Sequence, residues 1–195
     1  MLEDAVMTPP AHFLAGWLVA NCGGACRRDR ALVTLAAVLP DLDGFGYVVE
    51  YVSEWLRHPL YWYANFHHVL CHNALFGALM VAAAALVAKQ KWKTALLVLV
   101  AFHVHLLMDL AGSKGPDGDP WEISYLLPFS SAWPLTWSGQ WALDSWLNKV
   151  IGVAMLAVTV VLAWWRGFSP FEIFSKRADA AFVGMLRRLV PLRRT

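Results

Sequence analysis

The stretch Thr94–Leu110, TALLVLVAFHVHLLMDL, decides the fold. It reads as a helix that is apolar almost all round, yet it carries His103, His105 and Asp109 towards its end. Ionisable groups inside such a helix are costly, so each is a candidate for function. His105 and Asp109 are four apart and project from one face. His103 lies two residues from His105, roughly on the opposite face, and suits a hydrogen bond to a neighbouring helix.

Four more apolar stretches surround this one: Pro10–Cys26, Ala31–Pro40, Phe66–Ala88 and Val150–Trp165. All read as helices, so the expected fold class is all-α, a polytopic membrane bundle of about five apolar helices. Composition agrees. Of 195 residues, 58% are hydrophobic and 15% charged, against about 45–50% and about 25% in a soluble domain. Such a chain is neither disordered nor a disulfide-stapled scaffold, since it has only three Cys. A full span takes about 20 apolar residues, and of the five stretches Phe66–Ala88 meets that length most clearly.

Charge sorts the connections. Arg27, Arg28 and Arg30 follow the first stretch; Lys89, Lys91 and Lys93 separate the third and fourth; Arg166 follows the fifth. The segments 41–65 and 111–149 carry few cations. Cytoplasmic loops are the basic ones, which predicts five crossings of the membrane, with the N-terminus outside and the C-terminus in the cytoplasm. Residues 169–195 alternate apolar and basic side chains and read as an amphipathic tail on anionic lipid, apart from an embedded domain over 1–168. The net charge of +2 gives no reason to expect nucleic-acid binding.

Under that topology His12, Asp41, Asp43, His67, His68, His72, His105 and Asp109 gather at one non-cytoplasmic mouth. Imidazole and carboxylate are the usual ligands of catalytic zinc, and zinc brings the pKa of its water to about 7. Alternatives stand beside this reading: a helix-to-helix hydrogen bond for His12, and turn formation for Asp41 and Asp43. His58, before Pro59, is expected to be exposed. Helical spacing pairs His68 with His72.

These residues also carry a resemblance. Pro10-Ala11-His12, Leu39-Pro40-Asp41-Leu42-Asp43, His67-His68-Val69-Leu70-Cys71-His72-Asn73, His105-Leu106-Leu107-Met108-Asp109, Gly115 and Leu127-Pro128-Phe129-Ser130 occur in one order. Over residues 8–131 the chain resembles the YdjM-like family of inner-membrane metal-dependent hydrolases, also labelled LexA-binding. More distantly it is similar to the zinc-dependent phospholipase C and nuclease superfamily. The resemblance implies His12, Asp41, Asp43, His67, His72, His105 and Asp109 as metal residues, favouring His67 over His68. It implies one or two Zn²⁺ ions, with other divalent metals open. His68 replaces the family's Arg and becomes a substrate-binding candidate, able to hold an anion only when protonated.

Two functions follow. One is a hydrolase of phosphoesters, with a lipid or lipid-linked substrate and Asp43 or Asp41 as general base. Trp121, Trp133, Trp137, Trp141 and Trp146 would anchor its outer segment among lipid headgroups or cover the site. The other is a metal-binding membrane regulator that recruits a protein partner through the basic tail. The crowding of ligands at one side, away from the midplane, argues against transport.

Overall fold

The computed structural model of the chain describes residues 9–56, 58–67, 69–114 and 118–191. Among the described residues its regular elements are helices: α1 (Pro9–Asn21), α2 (Arg27–Ala36), a 3-10 segment (Leu39–Phe45), α3 (Gly46–Ser53), α4 (Trp62–Phe66), α5 (Ala74–Val87), α6 (Lys91–Gly112), α7 (Trp146–Arg166), a second 3-10 segment (Pro170–Ile173) and α8 (Lys176–Leu189). α1, α2 and α6 pack on one another, α5 lies along α6, and α7 covers α1.

Small side chains set this packing. Ala20, Ala36, Ala37, Ala84 and Ala101 form the inner layer with Val33 and Val98. Between membrane helices, such residues let backbones approach closely, where apolar burial alone gives no driving force. Gly16 takes this furthest. A Cβ there would sit 2.6 Å from the Ala37 Cβ and 2.7 Å from the Thr34 carbonyl oxygen. α1 and α2 therefore cross in contact, which brings His12 to the end of α2.

Helix lengths differ from the sequence expectation. Phe66–Ala88 is not one helix: α5 has 14 residues and starts only at Ala74. Upstream, His67 is extended. Asn73 donates to the carbonyls of Val69 and Leu70 and accepts from the Phe76 amide, closing a cap. The polar run supplies its own hydrogen bonds and stops the helix. The helices long and apolar enough to cross a membrane are α6, with 22 residues, and α7, with 21. A third emerges only if α2 and residues 39–53, bent by 46°, count as one. Among the described residues the helix lengths thus give two or three spans, where five were expected, because charged end residues extend α6 and α7 while α1 and α5 stay short.

The segment between α6 and α7 folds onto the helix ends. Isolated bridges join Lys114 to Ala142 and Ile123 to Leu135. Asn148, in the first turn of α7, donates to the Gly112 carbonyl at 2.8 Å, so α6 ends and α7 begins at one level. At the opposite end, α8 is docked: Arg187 donates to the carbonyls of Trp164 and Trp165, filling acceptors left open at a helix C-terminus.

Candidate metal centre

Each candidate ligand is placed by the end of an element. His12 lies in the first turn of α1. α2 finishes at Ala36, which leaves the Ala37 carbonyl free to accept from His105 Nδ1 at 2.8 Å. Pro40 then starts the 3-10 segment and turns Asp41 and Asp43 towards the bundle. α6 delivers His105 and Asp109 one turn apart, and their Nε2 and Oδ2 atoms are 3.0 Å apart.

His12, Asp41, His105 and Asp109 bring one ligand atom each within 4.8 Å of one another. His12 Nε2 is 3.2 Å from Asp109 Oδ1, and His105 Nε2 is 3.8 Å from Asp41 Oδ1. His72 joins from the far side, its Nε2 3.4 Å from Asp109 Oδ2 and 3.0 Å from His105 Nε2.

The tautomers say what this arrangement is for. His105 Nδ1 donates to a carbonyl, so its Nε2 is a lone pair. His72 Nδ1 faces the Asp43 carboxylate at 3.0 Å and donates to it, so the neutral ring also offers a lone pair at Nε2. Two lone pairs at 3.0 Å repel unless a cation lies between them. Without a metal that cation is a proton: burial pushes the His72 imidazole down, but Asp109 and Asp43 outweigh it and raise it to about 9. Asp41 Oδ2 and His12 Nδ1 are buried with no hydrogen-bond partner among the described residues. Two imidazoles and two carboxylates around one point, with a third imidazole beside them, fit a divalent cation.

Asp43 stands one layer back. Its Oδ1 meets His67 Nδ1 at 2.8 Å, and its Oδ2 accepts from His72 Nδ1 and from the Cys71 amide. Both oxygens are committed to orienting histidines, the arrangement that fixes a ligand's tautomer and raises its basicity. Asp43→Asn is expected to weaken metal binding about 10–100-fold, read by chelator competition on the purified protein, with the fold retained.

His67 belongs to the same outer layer. Its ring stacks on Tyr63, centroids 4.6 Å apart, and meets Trp121 edge-on at 5.0 Å. His67 and residues 69–73 are not helical, so His72 does not sit in a helix that would give it an i+4 partner upstream; His68 itself lies outside the described residues, as does Gly115. His103 bonds not a neighbouring helix but the Leu99 carbonyl of its own helix and the Tyr125 hydroxyl of the α6–α7 segment, while His58 is exposed, as expected. Cys71 beside the centre keeps its proton: burial, then the Asp43 charge, pushes its thiol up to about 11.

Several contributors give little sign in the sequence. Gln140 donates to the Asp109 carbonyl and accepts from the Trp121 amide, tying the α6–α7 segment to the site. Ser113 donates to Asp109 Oδ1 at 3.2 Å; only its i+4 spacing was visible beforehand. Of the expected tryptophans, Trp121 borders the centre, while Trp133 and Trp146 are 83% and 68% exposed and face away from the protein.

The way in is narrow. The side chains of His12, His72, His105 and Asp109 are at most 5% exposed, whereas Asp41 keeps 16% and His67 11%. Burial also raises the Tyr63 hydroxyl to about 12, helped by the charges of Asp41, Asp43 and Asp109, so it stays protonated at this mouth.

No curated protein and no solved structure matches the chain. The family model of the YdjM inner membrane protein matches residues 7–175, past the 8–131 over which the resemblance was legible and across every candidate ligand. This is a membrane protein with a His/Asp group able to hold a metal, and the chain belongs to the YdjM inner membrane protein family.

Proposed function

We propose that this protein is a membrane-embedded, metal-dependent hydrolase of phosphoesters, with a lipid or lipid-linked molecule as substrate. The observation that carries the reading is the buried Asp41 Oδ2, without a hydrogen-bond partner among the described residues, on a side chain that keeps 16% exposure at the edge of the His/Asp group. His12, His105 and Asp109 would hold a divalent cation, zinc by donor chemistry, with His72 completing the set. Such a cation supplies Lewis acidity and a water that is nucleophilic at neutral pH. Asp41 Oδ2 would serve as the general base beside that cation. Asp43 is assigned to positioning instead, since both its oxygens are already used. Tyr63 and Trp121 wall the mouth and limit what enters. The ends of α6 and α7 lie beside the centre, which suits a substrate presented from the membrane. The alternative is a metal-binding regulator that recruits a protein partner through its basic tail.

The test is turnover of a phosphodiester and phospholipid panel by purified protein in detergent. Asp41→Asn is expected to lower kcat by about 10²–10⁴-fold, and His105→Ala to lose metal and turnover together. Tightly held metal with no turnover across the panel would reject the hydrolase and favour the regulator.

A further inference from the structure

The hairpin between Gly46 and Phe66 keeps polar groups at its tip, where Glu54 and His58 are exposed, but along α3 it turns polar side chains inward and aromatic ones outward. In water, a short helical hairpin turns its polar side chains outward. Here Ser53 is buried, accepting from the Leu60 amide at 2.8 Å and donating to the Glu50 carbonyl. Glu50 turns inward too, and its carboxylate accepts from the Tyr63 amide at 3.0 Å. The outward face carries Tyr47, Val48, Tyr51, Val52, Trp55 and Trp62, each between 49% and 85% exposed. Tyr and Trp on one exposed face are the residues of a membrane–water boundary, where an apolar body and a polar tip are both satisfied.

The depth of this face follows from its feet. Gly46 follows directly on the 3-10 segment that carries Asp41 and Asp43, and His67, bonded to Asp43, follows α4. Both feet therefore stand at the level of the metal centre. Asp109 fixes that level one turn from the end of α6, where α7 also starts. The feet are locked together: a Cβ on Gly46 would lie 2.9 Å from the Tyr63 backbone nitrogen. Eight residues of α3 reach about 12 Å at 1.5 Å each, less than half of an apolar layer about 30 Å thick. The chain then returns to its starting level, so this segment does not cross.

We propose that the α3–α4 hairpin is an interfacial anchor. Its aromatic face lies among the headgroups and upper acyl chains of the leaflet that the C-terminal end of α6 reaches, and it holds the metal centre at the lipid–water boundary. The occupant of the face is lipid: Leu107, half a turn before Asp109 on α6, and Trp146 and Val150 at the start of α7 are likewise apolar and exposed at the level of the centre. The inference does not depend on hydrolase activity.

Nitroxide labels placed one at a time at Val52→Cys and Trp55→Cys, with Cys22, Cys26 and Cys71 replaced by Ser, test it in vesicles of phosphatidylcholine and phosphatidylglycerol. Both positions are exposed, so folding tolerates the label. Power saturation with oxygen and a polar nickel chelate is expected to place both labels about 5–10 Å below the phosphates. A scan of residues 47–53 should show lipid contact with a helical period, lowest at Glu50 and Ser53. Labels near the bilayer midplane would overturn the proposal in favour of a broken span. Labels open to the nickel chelate alone, or dipolar broadening between chains from a second copy on this face, would overturn it as well. Should the Cys71 replacement unfold the protein, the same two labels are read with Cys71 retained, subtracting the signal of the otherwise unlabelled chain.

Discussion

Asp109→Asn is expected to empty the metal centre while leaving the protein folded. Asp109 is the hub: its carboxylate lies within 3.4 Å of three imidazoles, those of His12, His72 and His105. An amide has the same size but no charge, and its nitrogen would aim hydrogens at atoms that must accept or ligate. Losing a supporting group behind a ligand costs about 10–100-fold in metal affinity, so losing the shared carboxylate itself should exceed about 100-fold. Metal content after size exclusion checks this. Wild-type occupancy in the variant would remove Asp109 from the ligand set. Under the proposed function, turnover falls with the metal.

The second large effect lies far from the centre. Glu172 is expected to be the side chain outside the site whose removal destabilises most. Its carboxylate receives Arg30 in a bidentate pair, both contacts 2.6 Å, with side chains only 12% and 4% exposed. Arg27 donates to the Glu172 carbonyl, and the Arg30 guanidinium lies 3.7 Å over the Phe168 ring. Glu172→Ala would leave the Arg30 charge buried and uncompensated, which costs about 3–5 kcal/mol. Replacing Arg30 and Glu172 together by Met should cost much less, since the desolvation of both charges is removed with the pair. Unfolding in detergent, followed for both variants, distinguishes these outcomes. Equal losses would mean that the pair serves packing alone.

The difference between these two sites shows what a sequence reveals. His105 and Asp109 were legible because an ionisable pair in an apolar helix has no cheap explanation, and i+4 spacing gives it a common face. Asp41, Asp43 and His72 were legible from motif order, but their division into ligand and orienter was not. That division rests on hydrogen bonds made across 29 residues, His72 to Asp43, and across 68, His105 to the Ala37 carbonyl. A backbone carbonyl has no signature in a sequence. Arg30 and Glu172 were read as a loop charge and an unremarked acid, since nothing local joins residues 142 apart. Helix lengths depart from the expectation for a related reason. Phe66–Ala88 reads as one stretch from its overall apolar composition, but Asn73 satisfies three backbone groups and caps a helix that begins only at Ala74. Hydropathy records solvent preference, and a cap is a matter of local hydrogen bonding.

Metal analysis with X-ray absorption on the purified wild-type protein tests the central claim most directly. The account predicts a divalent metal bound by each chain, with a first shell of nitrogen and oxygen and the outer scattering of imidazole; for zinc the Zn–N distance would be about 2.0–2.1 Å. A first shell of sulfur at about 2.3 Å would move the metal to Cys22, Cys26 or Cys71. Protein that binds no divalent cation at neutral pH would contradict the account outright.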